Sequence, residues 1–485
     1  MKPSDVVRAL TPEDRSTNEE PLTALLFPLR FLGMGLLITW LCCTHVVSIF
    51  PGAGFDPALR STFDYGMRFG DIGSFLLMAI FANRIGRLGR RPKATAFCVA
   101  LTVLGTAVVG LILIPMGATT SLIFAIAVLT GIGGAALFCL WAEAYSQMGM
   151  TQTVMYGAGS CIVAAVTAFL ISTMQPPYAV ATTALLPLIS FLCALLSFRL
   201  VPPERPQPAG VRYPLPLKLL GMMSLAGLLS GLAGSLLPNP DGLGAIHRVA
   251  ATGLAGVVII AMMLSRKDRI DVRFLAKVGL PLSILALILI PFAGPQWGYA
   301  VSFLIKLAYV WFTFFVLLML ANIVFRFEVP SLRLFAIARA SSEAAIFMGV
   351  AARRVLQQNN AFVDPAVLIG LSLGGIVIVL LCALIWKSET SVNGDWGASG
   401  ISLVDKLHVP GPRERFMARC DELSVCYKLT TRETEIMALI AQRKSRSEIE
   451  HELFLSQNTV KTHVRHLYAK LDARSKADVI ALFER

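Results

Sequence analysis

Asn458, Lys461, Thr462 and Arg465 stand three and four residues apart near the C-terminal end, so a helix would carry them on one face. An amide, an ammonium, a hydroxyl and a guanidinium offer donors and positive charge, suited to phosphate oxygens and to the acceptor edges of bases. Ser456, Thr459 and Arg474 flank them and add further donors. Val460, Val464, Leu467 and Leu471 repeat at i, i+4, i+7 and i+11, a separate apolar stripe for the interior. His463 and His466 have no ligand cluster around them and read as packing or phosphate-side residues, not metal ligands. The chain shows no nucleophile–base pair and no metal-ligand spacing. The expectation is therefore a non-enzyme with no cofactor.

A second set of polar residues lies inside strongly apolar stretches, where ionisable groups are costly and by default functional. These are His45, Arg68, Asp71, Glu143, Lys306, Arg339 and Glu343. Arg68 with Asp71 and Arg339 with Glu343 have the i,i+3 and i,i+4 spacings of self-neutralising pairs, open to either structural pairing or ligand contact. Glu143 and Lys306 have no charged residue within four positions. Trp40, His45, Glu143, Lys306, Trp311 and Glu343 are the candidate contacts for a small molecule, with Trp141, Tyr145 and Tyr309 as further candidates. For any single aromatic, anchoring at the membrane interface is the competing role.

The elements that must position these residues are helical. Of 485 residues, 55% are hydrophobic and 15% charged, with a mean hydropathy of +0.68. Soluble domains carry roughly 25% charged residues, so an ordinary soluble enzyme, a disordered chain and a secreted disulfide scaffold are excluded. Apolar windows predict spans at Leu25–Phe50, Gly66–Ala82, Ala94–Gly117, Ser121–Ala144, Met155–Met174 and Tyr178–Leu200. A Pro-rich connector from Val201 to Pro216 leads to six more, Leu217–Leu237, Leu243–Leu264, Phe274–Gly294, Trp297–Val324, Leu332–Val350 and Pro365–Trp386.

Lys and Arg number sixteen in the even-numbered loops and the central connector, against four on the other side (Arg60, Arg248, Arg353 and Arg354). That asymmetry predicts a bacterial inner-membrane protein with both termini in the cytoplasm. Residues 1–21 are polar and the first apolar run is too long for a cleavable signal. Seven of the nine cysteines lie in apolar runs and read as reduced thiols.

Composition changes abruptly after Trp386. Residues 387–427 read as a polar linker with a short helix near Arg413–Cys420. Thr430 with Glu433, Ser445 with Glu448, Ser456, and Ser475 with Asp478 then mark four helix N-termini in a compact domain, 428–485. The plan is an N-terminal tail (1–23), a twelve-span domain (24–386), the linker and this domain. The fold class is all-α, a polytopic membrane bundle plus a small four-helix helix-turn-helix domain.

Two resemblances extend the reading. Leu429-Thr-Thr-Arg-Glu-Thr-Glu-Ile436, Leu453-Phe-Leu-Ser-Gln-Asn-Thr-Val-Lys-Thr-His-Val464 and Lys470-Leu-Asp-Ala-Arg-Ser475 closely resemble the LuxR/NarL (GerE) DNA-binding domain, from Leu429 to about Leu482. The resemblance implies that Lys461, Thr462 and Arg465 face bases and that Ser456, Asn458, Thr459 and Arg474 approach phosphates, while Glu433 braces the scaffold. It departs at Arg443, where the family usually has Gly, and at Glu450, where it usually has Ala.

The loop Asn83-Arg-Ile-Gly-Arg-Leu-Gly-Arg-Arg-Pro92 resembles the second-loop signature of the major facilitator superfamily through Arg87, Gly89, Arg90 and Arg91. Gly86 replaces the family's Asp, a member of its gating relay. Together these imply a membrane-embedded one-component transcription regulator, with a transporter that also signals as the alternative. The expected partners are double-stranded DNA, the lipid bilayer, a small-molecule ligand and a second copy on DNA.

Overall fold

The computed structural model describes residues 29–46, 57–148, 150–198, 215–233, 246–265, 272–292, 298–327, 330–358, 365–386, 412–442, 444–453 and 455–484. The chain divides into two compact units. Among the described residues every regular element is helical, as the composition requires.

The first unit is a bundle of twelve principal helices among the described residues. They are α1 (Arg30–Val46), α2 (Pro57–Ile80), α3 (Pro92–Leu113), α4 (Thr120–Tyr145), α5 (Met150–Ser172) and α6 (Pro176–Phe198). After the connector come α7 (Leu217–Ala233), α8 (Ile246–Ser265), α9 (Val272–Ile288), α10 (Gly298–Phe327), α11 (Ser331–Gln358) and α12 (Pro365–Trp386). Among the described residues six of them, α3 to α6, α10 and α11, are long and apolar enough to cross a membrane. The heavily charged window expected at Leu332–Val350 is one continuous helix. In contrast, α2 begins at Pro57, nine residues before the apolar window that predicted it, because its first turns carry Arg60, Asp64 and Arg68.

Packing shows why a charged helix sits in an apolar bundle. Between the halves α2 packs on α11, and α5 packs on α8. Advancing each number by six converts one pair into the other, so the halves meet by a pseudo-two-fold relation. Within the first half α2 and α4 touch backbone to backbone. A Cβ on Gly70 would lie 2.1 Å from the Val128 carbonyl oxygen, and one on Gly131 would lie 2.3 Å from that of Met67. Small residues are what allow such closeness where no hydrophobic effect drives association.

The loop before α3 turns at Gly86, with φ +64° and ψ −141°, backbone close to a region that is essentially glycine's own. The departure from the facilitator signature at this position thus has a conformational reason.

The second unit holds α13 (Pro412–Cys426), α14 (Thr431–Ala441), α15 (Arg446–Leu453), α16 (Gln457–Leu471) and α17 (Lys476–Glu484). Thr430 and Glu433 form a reciprocal capping box, and Ser445 with Glu448 and Ser475 with Asp478 make the same paired bonds. Ser456 accepts from the Thr459 N–H at 3.3 Å to start α16. Ile436, Ile440, Ile449, Val479 and the stripe Val460, Val464, Leu467 and Leu471 make one core. Arg443 lies outside the described residues.

The linker expected at 387–427 is shorter than its polar composition suggested. From Pro412 it is helix, and Cys420 and Leu423 are buried in the same core while Phe416 stacks on Phe483 at 5.0 Å. The C-terminal unit thus has five helices among the described residues, not four.

Candidate functional site

On α16 the cap and the apolar stripe together decide what faces outward. With Val460, Val464, Leu467 and Leu471 buried, Asn458, Lys461, Thr462 and Arg465 are all exposed. Ser456 and Arg474 are exposed as well, and Thr459 is half-buried beside the Ser456 hydroxyl at 2.8 Å. The Thr462 hydroxyl donates to the Asn458 carbonyl at 3.0 Å, which leaves its methyl free to meet an apolar group. Neither face borrows a residue from the other. The α14–α17 framework presents a short helix whose solvent side is cationic and rich in donors, the geometry that enters a major groove.

A buried acid holds this helix in place. Glu433 on α14 is 4% exposed, and its Oε2 accepts from Lys470 Nζ on α16 at 2.6 Å and from the Thr430 N–H at 2.7 Å. Burial alone would raise its carboxyl, but the hydrogen bonds from Lys470 and Thr430 outweigh it and hold the group below the ordinary glutamate range. Lys470 also donates to the Lys428 carbonyl at 3.1 Å. It therefore braces the scaffold with Glu433. On the α13 side, burial pushes the Cys420 thiol up to about 12, so it remains protonated.

A partly open cavity of about 330 Å³ lies between the halves of the bundle. His45, Lys306 and Glu343 line it, as do Trp141, Tyr145 and Tyr309. Three of the expected lining residues are placed elsewhere. Trp40 is fully buried, with its indole N–H donating to the Thr106 hydroxyl at 3.1 Å. Trp311 is buried on α10 away from the cavity wall, with Gly279 of α9 beside it. Glu143 is 3% exposed and turned to the loop before α3, where its Oε2 accepts from the Leu88 N–H at 2.9 Å and the Gly89 N–H at 3.4 Å. A carboxylate isolated in sequence has thus found backbone donors 54 and 55 positions away.

The charges at the cavity wall form a network that spacing alone misassigned. Arg68 does not pair with Asp71. It donates to Asp64 at 3.1 Å on its own helix and to Glu343 at 3.2 Å on α11. Arg339 also donates to Glu343, four residues on, as its spacing implied. His45 Nδ1 meets Asp64 Oδ1 at 2.5 Å, from a stretch where α1 widens into a π-helical turn at Cys42–Val46. Such turns favour functional sites. Asp64 escaped the sequence reading because it precedes the apolar window, although its i,i+4 spacing to Arg68 was visible. Arg248 and Arg353, taken as loop residues, lie on α8 and α11 and line the cavity.

Residues 427–483 match the family described as bacterial regulatory proteins, luxR family. Over 55 residues the chain is 49% identical to the transcriptional regulatory protein LiaR of Bacillus subtilis, covering 11% of this chain and 26% of LiaR. Over 71 residues it is 41% identical to the nitrate/nitrite response regulator protein NarP of Escherichia coli, covering 15% and 32%. Over 52 residues it is 36% identical to the spore germination protein GerE of Bacillus subtilis, covering 11% and 70%. The chain spans about a quarter of the length of LiaR. The bundle is similar to the crystal structure of a bacterial homologue of the iron transporter ferroportin in its outward-facing state. The TM-score is 0.54 at 15% identity, over 74% of this chain and 99% of that one, a likeness of fold.

Proposed function

We propose that this chain, which belongs to the luxR family of bacterial regulatory proteins through residues 427–483, is a membrane-embedded one-component transcription regulator. The observation that carries the reading is a pairing within one polypeptide. A helix-turn-helix unit exposes Lys461, Thr462 and Arg465 on α16, and a transporter-like bundle holds a cavity lined with charged and aromatic residues. In this reading Lys461, Thr462 and Arg465 read base edges while Ser456, Asn458, Thr459 and Arg474 hold the phosphates. Both termini are cytoplasmic, which puts the C-terminal unit where DNA is.

Signal transfer follows from the size of the reader. A small helix-turn-helix binds usefully as a dimer on half-sites about one turn, ~34–36 Å, apart. Ligand capture in the bundle shifts how often two C-terminal units meet, through differential affinity for two states of the membrane part. The test is a promoter reporter driven by the chain's own genomic neighbourhood, with the wild type compared with Lys461→Ala and Arg465→Ala. Regulation that survives both substitutions overturns the reading.

The second reading is a small-molecule transporter with an attached signalling domain, and the central cavity favours it. Gly86 in place of the relay Asp weighs against it. Uptake into proteoliposomes, set beside the reporter response, separates the two.

A further inference from the structure

The charges lining the central cavity are divided unequally between its walls. Its five Lys and Arg residues face three carboxylates, and all three carboxylates, Asp64, Asp71 and Glu343, lie on α2 and α11. Arg68, Arg339 and Arg353 lie on those same two helices, so that wall is formally neutral. Arg68 bridges Asp64 and Glu343, and Arg339 holds Glu343 as well. The side from α8 and α10 carries Arg248 and Lys306 and, among the described residues, no carboxylate.

Lys306 is the sharper feature. Its ammonium rests over the Tyr309 ring at 5.1 Å, and it has neither a hydrogen bond nor an ion pair with any described residue. Two buried hydroxyls, Thr252 on α8 and Thr313 on α10, line the same cavity and have no hydrogen-bond partner among the described residues. Thr252 lies four residues after Arg248 and Thr313 seven after Lys306, so each shares a helix face with its cation. Buried donors left without acceptors carry a desolvation cost that an anion would relieve.

We infer that the central cavity binds a compact organic anion, its charged group held by Lys306 and Arg248 with the Thr252 and Thr313 hydroxyls as donors. Its apolar body lies against Phe138, Trp141 and Phe314, which line the rest of the wall. A cationic ligand would meet the like charge of Lys306, and a neutral one would leave Lys306 uncompensated. The inference rests on the sensing reading above and names its ligand class.

The experiment measures binding to the full chain in nanodiscs by tryptophan fluorescence and thermal shift. The probes are three compounds on one ring: benzoate, benzamide and benzylamine. Benzoate should bind at least about tenfold more tightly than benzamide, with benzylamine weakest (a tenfold ratio is about 1.4 kcal/mol). Lys306→Met should abolish the preference of acid over amide, Lys306→Arg should retain it, and Thr252→Val should weaken benzoate alone. Equal binding of acid and amide, preference for the amine, or no saturable binding of any probe overturns the inference. So does a Lys306→Met protein that still prefers the acid. Binding with the expected selectivity but no change in DNA occupancy supports the anion site and overturns the sensing reading instead.

Discussion

Arg68 of α2 and Glu343 of α11 meet at 3.2 Å, although 275 positions separate them. The pair joins opposite halves of the bundle, with side chains 12% and 9% exposed. Ion pairs in such surroundings are not strong sources of net stability, since desolvating each charge offsets their attraction. Their effect is conditional: the halves meet at little cost only while every partner is present.

Removing Arg68 alone should therefore harm more than removing it together with Asp64. Arg68→Met leaves Asp64 and Glu343 short of a counter-charge and should destabilise the chain by roughly 3–5 kcal/mol. Adding Asp64→Asn, which leaves Glu343 held by Arg339, should restore much of that loss. Melting of the purified protein in one detergent, across the single and double variants, decides it. A double variant less stable than the single one would contradict the network.

On DNA, Lys461→Ala and Arg465→Ala should each cost about 1–3 kcal/mol on a site selected from a random duplex library. Arg474→Ala should instead weaken all duplexes alike and lower the salt dependence of binding. Fluorescence anisotropy at two salt concentrations distinguishes these patterns.

The α13 helix belongs to the C-terminal fold, so a fragment beginning at Pro412 should be markedly more stable than one beginning at Lys428. Leu423→Ala, at a site 4% exposed, should cost roughly 2–5 kcal/mol in the longer fragment. Urea unfolding of the three proteins is the measurement.

Acid should loosen the same fragment by a defined route. The Glu433 carboxyl is depressed in the folded state, because Lys470 and Thr430 bond to its charged form despite its burial. Its contribution is thus present above the unfolded glutamate pKa and is lost as pH falls through the lower folded value. The melting temperature should drop as pH falls below the unfolded glutamate range, and Glu433→Gln should lower stability at neutral pH while flattening that dependence. An unchanged slope in the variant would remove Glu433 from the account.

The helical plan was legible because long apolar runs in a chain 15% charged have one cheap solution, and the four caps of the C-terminal unit were legible from Ser, Thr, Glu and Asp spacing. The exposed face of α16 followed from the same periodicity. Long-range pairing was not legible. Glu143 looked isolated because its donors are the Leu88 and Gly89 N–H groups of a distant loop, and Arg68 was assigned to Asp71 because Glu343 is far along the chain. A short helix near Arg413–Cys420 was legible, but its place in the C-terminal core was not, because the contacts come from a few residues in a polar stretch. Trp40 and Trp311, expected at the cavity, lie instead in the buried interior, which large rings suit equally well.

On α16 the residues that hold the fold and the residues offered to DNA are disjoint sets. Positions 458, 461, 462 and 465 can therefore change without repacking Val460, Val464, Leu467 or Leu471. Under the proposed reading, one copy could move to a different promoter after gene duplication through a few surface codons while its cavity kept the original chemical input. Input and output would then diverge independently, and a genome could accumulate many such chains, each pairing one ligand with one operon.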